Sequence, residues 1–91
     1  MARVVITAEV DHGGAWESGF RSHGDLFRTM STTVHYYAIN EDDTIAVYAE
    51  PEDLDTFMHV LQSEDTANAM INDGVKRETV KVFVLDVEFR Y

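Results

Sequence analysis

Strand-like and helix-like stretches alternate along this chain in an order that leaves few folds open. Ala2 to Val10 is rich in β-branched side chains and reads as a strand. Asp11, Gly13 and Gly14 punctuate it, and Asp11 suits a helix cap or a turn. From Gly13 to Thr29, Trp16, Phe20, His23 and Phe27 recur at the spacing of one helix face. Ser31 to Ile39 reads as a second strand and Thr44 to Ala49 as a third. The polar turn Asn40-Glu41-Asp42-Asp43 between them makes a hairpin. Pro51 suits a first helical position, where its missing N–H costs nothing. Leu54, Phe57, Met58 and Leu61 follow at helical period. Ser63 reads as a fresh cap for a short helix carrying Ala67, Met70 and Ile71, and Gly74 closes that helix. Val75 to Glu78 reads as a connector, and Thr79 to Tyr91 as the last strand.

The resulting order is βαββαβ, with the second helix in two pieces. This is the split βαβ, ferredoxin-like pattern of an α+β fold. It predicts an antiparallel sheet in the order 4-1-3-2 with right-handed crossovers, built as a single domain over residues 1–91. The last strand adds a second constraint. Val80, Val82 and Val84 lie on one face; Phe83, Leu85, Val87, Phe89 and Tyr91 lie on the other. Two helices cover only one face of a sheet, so a second copy is the economical cover for the other. The expectation is a homodimer whose sheets pack face to face.

Charge and composition exclude several partners. The 91 residues carry 17 acidic and 7 basic side chains, for a formal net charge of −10. Nucleic acid and anionic membrane surfaces repel such a chain. No apolar run approaches the roughly 20 residues of a membrane helix, and the N-terminal run is too short for a signal peptide. With no cysteine, a chain this small fits a reducing, cytoplasmic setting better than a secreted one. No phosphate loop, dinucleotide fingerprint or nucleophile elbow is present, so no cofactor is expected. The four histidines form no metal-ligand spacing and have no cysteine to help them, so no metal is expected.

Three stretches carry a resemblance: Trp16-Glu17-Ser18-Gly19-Phe20-Arg21-Ser22-His23 with Arg28; the acidic hairpin with Tyr48 to Leu54; and Ser63-Glu64-Asp65 through Ala69-Met70 to Asp73-Gly74-Val75. With the order of elements, they resemble the dimeric α/β-barrel superfamily, which includes small monooxygenases, muconolactone-isomerase-like enzymes and polyketide cyclases. Within it they are similar to an uncharacterised small bacterial family. The resemblance implies a ligand cavity between helices and sheet in each subunit, with His23 at an inward helix position. Where that family often has a proline after Gly-Val, this chain has Lys76-Arg77-Glu78.

An imidazole in the middle of an apolar stripe must find a partner or a ligand. His23 is therefore the candidate catalytic residue, a general acid/base near neutral pH. A satisfied core histidine is the competing reading. Trp16, Phe20 and Phe27 are candidate pocket walls. His35 and Tyr37 share one face of the second strand, Val34 and Tyr36 the other, and the strand alone does not say which face meets the first helix. His35 and Tyr37 are candidate ligand-binding residues, with a dimer-interface pair as the competing reading. Tyr48 of the third strand is a third candidate, with a core phenol whose hydroxyl is wet as its competing reading. His12 and His59 fall off the stripe and read as exposed. The expected function is a small cofactor-independent enzyme, of isomerase, cyclase or monooxygenase type. It would act on a hydrophobic carbonyl or phenolic small molecule between the first helix and the sheet. The alternative is a non-catalytic homodimer that binds a small apolar ligand or a partner. A ligand site needs a pocket of about 300 Å³ or more with His23 on its wall.

Overall fold

Apolar residues at every second position of the strands give the sheet one greasy face, and four short helices cover it. The computed structural model describes residues 2–91. Its elements are β1 (Val4–Val10), α1 (Gly13–Arg21), α2 (Gly24–Thr29), β2 (His35–Ile39), β3 (Thr44–Ala49), α3 (Leu54–Leu61), α4 (Glu64–Asn72) and β4 (Val75–Val84). The strands form one antiparallel sheet in the order β2-β3-β1-β4. Read from the other edge this is the expected 4-1-3-2, so the chain has the ferredoxin-like α+β fold.

Val4, Ala8 and Val10 of β1 and Ile45, Val47 and Ala49 of β3 point toward the helices and are buried. Two clusters make the core. Trp16 packs on Ala8, Val10, Ile45 and Val47 at one end, and Phe57 packs with Val4, Met30 and Ala49 at the other. Deleting either aromatic would cost about 3–5 kcal/mol, a large share of what holds a domain of this size.

Five local expectations need correction. The first helix is not continuous to Thr29. The Ser22 hydroxyl and N–H both bond back to the Gly19 carbonyl, and Gly24 follows; together they break the helix at Ser22-His23. Neither Asp11 nor any other local side chain caps α1. Instead the Asp43 carboxylate, from the hairpin turn, accepts from the Gly13 N–H at 2.9 Å. Pro51 is buried but precedes α3, because Asp53 takes the cap and accepts from the Thr56 N–H. The Val75–Glu78 connector is largely strand. Val75 pairs with Val10 and Lys76 with Glu9 before a bulge, where the Glu9 N–H donates to the Thr79 hydroxyl at 2.8 Å. Regular pairing of β4 then stops at Val84, well short of Tyr91.

Gly74 does close α4 in the left-handed region, at φ 78°. Among the described residues, no helix is long and apolar enough to cross a membrane.

Candidate functional site

The break between α1 and α2 turns His23 inward at a corner, and α4 brings it a partner. His23 Nε2 lies 2.9 Å from Asp73 Oδ2. The Asp73 side chain is only 5% exposed and the imidazole 23%. Asp73 sits at the C-terminal end of α4, where the helix dipole disfavours an anion. A carboxylate buried in that position needs a donor, and His23 supplies it. As a carboxylate, Asp73 can only accept, so the Nε2 atom carries the hydrogen. In the neutral ring the lone pair then sits on Nδ1, which has no hydrogen-bond partner among the described residues. Gly19 lets the carboxylate lie against α1, since a Cβ there would fall 2.1 Å from Asp73 Oδ1.

This pair borders an apolar cavity of about 90 Å³ between the helices and the sheet. Trp16, Phe20 and Phe27 wall it from α1 and α2, Ile45 and Val47 floor it, and Phe57 and Met70 close the far side. Phe20 stacks on Trp16 and meets Phe27, each at 4.8 Å between ring centroids. The volume falls below the 300 Å³ expected of a ligand site. A guest larger than one ring requires the walls to part.

His35 also lines the cavity, tilted on Phe27 at 4.3 Å and edge-on to Phe20 at 5.4 Å. Burial pushes its pKa below the ordinary 6.5, so the ring is held neutral. Tyr37 shares that face but turns its hydroxyl away to donate to Glu17 Oε2 at 2.6 Å. That bond raises the phenol's pKa, and burial and the Glu17 charge add to the effect. Tyr37 packs edge-on against Trp16 and supports the wall from behind.

No protein-family model matches this chain, and no curated protein matches it. Solved structures do. An antibiotic biosynthesis monooxygenase aligns over 97% of this chain and 99% of its own, with a TM-score of 0.68 at 12% identity. SnoaB, a cofactor-independent oxygenase from Streptomyces nogalater, aligns over 98% and 94%, with a TM-score of 0.71 at 17% identity. A dimeric ferredoxin-like protein from an uncultured marine organism aligns over 99% and 92%, with a TM-score of 0.56 at 14% identity. The chain shares the ferredoxin-like fold of these structures. At these identities the likeness carries the fold and not the chemistry.

Within that fold, the structure brings together His23, Trp16, Phe20, Phe27 and His35 around one cavity. Tyr48 does not join them. It pairs with Tyr36 across β2 and β3, with the two rings 6.0 Å apart on the outer face of the sheet. The reason is register: Val47 and Ala49 take the inward positions of β3, so Tyr48 must point out. His12 and His59 are exposed. No group of three or more His, Asp or Glu side chains able to hold a metal comes together among the described residues.

The residue that sequence reading missed is Asp73. In the sequence it figures only within the stretch Asp73-Gly74-Val75 that carries the resemblance, with no partner for its carboxylate. Its sign was the available clue, because an acidic residue in the last turn of a helix opposes the dipole.

Proposed function

We propose that this protein is a small cofactor-independent enzyme of the oxygenase type, acting on a compact phenolic or carbonyl compound held between α1–α2 and the sheet. The observation that carries this reading is the His23–Asp73 pair on the wall of an apolar cavity. His23 Nδ1 takes a proton from an activated CH₂ group of the substrate, and Asp73 holds the ring in the tautomer that can accept it. The substrate anion passes its electron pair to O₂ and forms a C–O bond. The imidazolium returns its proton to the peroxide. Loss of water across the remaining C–H bond leaves C=O, so one CH₂ and one O₂ become one C=O and one H₂O. If the anion is reprotonated at another carbon instead, the same pair performs an isomerisation. Apolar walls support this chemistry by keeping bulk water from the anion.

Oxygen uptake with a panel of single-ring phenols and 1,3-diketones tests the reading. His23→Phe is expected to lower kcat by about a hundred- to ten-thousandfold, the usual worth of a positioned general base. Asp73→Asn is expected to lower it less. Uptake that survives both changes removes His23 from the chemistry.

The functional unit in this reading is a homodimer. Phe83 and Tyr36 on the outer sheet face are 49% and 64% exposed, and Val87 and Phe89 beyond β4 are 88% and 79% exposed. A single chain leaves this apolar surface in water. The dimeric neighbour supports a second copy as its cover.

The small cavity favours a second reading. At about 90 Å³, it also suits a non-catalytic dimer in which His23–Asp73 only ties α1–α2 to α4. Under that reading His23→Phe weakens folding and no ligand enters.

A further inference from the structure

A second hollow lies on the other side of His23. It is an open groove of about 760 Å³ between α2 and the α3–α4 pair. His23, Leu26 and Ala69 line both this groove and the inner cavity. They are therefore the partition between the two spaces.

The partition is held only at its ends. At one end stands the His23–Asp73 hydrogen bond. At the other, Ser31 ties the end of α2 to the start of α3: its carbonyl accepts from the Glu52 N–H at 3.0 Å, and its hydroxyl accepts from the Asp53 N–H at 3.0 Å. Between these pins no hydrogen bond joins α2 to α3 or α4 among the described residues. Leu26 and Ala69 meet the gap with apolar side chains alone, and a leucine rotamer change occurs without breaking a polar contact.

We propose that the site has two compartments joined at this partition. The inner cavity takes a single apolar ring, and the groove takes the ring's polar arm. This rests on the preceding reading of the cavity as a substrate site, and it narrows the substrate class. The groove offers the Asn68 amide and the Asn72 carbonyl oxygen for hydrogen bonding, while the Ser63 hydroxyl on its wall already donates to the Val60 carbonyl and caps α4. Its charged residues are Asp25 and Asp65, and no lysine or arginine lines it. Arg28 pairs with Asp25 at 2.7 Å, while Asp65 makes no ion pair among the described residues. The arm is therefore neutral or cationic. A carboxylate arm is repelled locally and by the net charge of −10. The inner volume alone admits no polar substituent of any size, so the groove is what makes the cavity large enough to serve.

Three closely related probes separate the possibilities: tyramine, tyrosol and 4-hydroxyphenylacetate. They share a phenol ring and differ in an ammonium, hydroxyl or carboxylate arm. Binding is read by NMR titration at low salt, using the Val47 methyls for the cavity and the side-chain amides of Asn68 and Asn72 for the groove. Shifts in both sets are expected, with tyramine binding about tenfold more tightly than 4-hydroxyphenylacetate. The gap should shrink as salt is raised, since exposed charges are screened. Asp65→Lys should narrow the gap at least threefold, and Leu26→Trp should weaken all three probes by filling the doorway. Shifts at Val47 without shifts at Asn68 and Asn72 would overturn the groove while leaving the cavity reading standing. Equal affinity for all three probes, or a gap that Asp65→Lys leaves unchanged, would overturn the charge selection. No shift at Val47 with any probe would overturn both the groove and the cavity reading.

Discussion

Gly19→Ala is a change that helix propensity alone expects to help. Alanine is favoured over glycine inside a helix by about 0.8–1.0 kcal/mol, and Gly19 lies within α1. The structure predicts the opposite sign. The new Cβ would sit 2.1 Å from Asp73 Oδ1 and 2.6 Å from its Cγ. Aspartate is short, so its carboxylate cannot swing clear and still meet His23 at 2.9 Å. A hydrogen bond to a charged group is worth about 1.5–3 kcal/mol, and a buried carboxylate left without a donor costs more. Set against the propensity gain, a net loss of about 1–2 kcal/mol is expected. For a chain of this size that lowers Tm by roughly 4–16 °C. Urea unfolding at fixed protein concentration measures it, the concentration being held because association shifts apparent stability. The decisive comparison is a cycle with Asp73→Ala. In that background the clash is gone, and Gly19→Ala should stabilise the fold by about 1 kcal/mol. If Gly19→Ala stabilises the otherwise unchanged protein, the carboxylate is not held between α1 and His23, and the acid/base assignment falls with it.

Two further outcomes follow from the same structure. His35 has its pKa lowered by burial, so the unfolded chain binds its proton first. Stability from this residue is complete above about pH 6.5 and is lost as pH falls below that value toward the lowered folded pKa. His35→Phe, with Phe20 and Phe27 as stacking partners, should flatten that part of the pH profile in thermal unfolding; an unchanged slope would mean that another group titrates there. The outer sheet face predicts a dimer mass by light scattering at micromolar concentration, and Phe83→Asp should return the monomer mass. A monomer in the unchanged protein would end the paired-sheet reading.

The fold was legible because each element is marked by several agreeing signals. β3 alternates cleanly, α4 has Ser63 before it and Gly74 after it, and the strand order follows from their sequence. What escaped depended on contacts distant in sequence. Asp43 caps α1 from 30 residues away, and Asp73 meets His23 across 50. Periodicity placed His23 on the right face but missed the break beside it, because one glycine is a weak terminator until the surrounding packing decides. The inward face of β2 was open at first, since His35 and Tyr36 are both plausible core residues. Pairing with β3 resolved it by turning Tyr36 and Tyr48 outward together.

The interruption after Arg21 also bears on how this molecule assembles. Peptides of nine and six residues, the lengths of α1 and α2, do not hold a helical form by themselves in water. They take shape only when packed against the rest of the fold. The imidazole's geometry is therefore a product of the finished chain, and any state that loosens those two pieces from the sheet has no His23–Asp73 hydrogen bond at all.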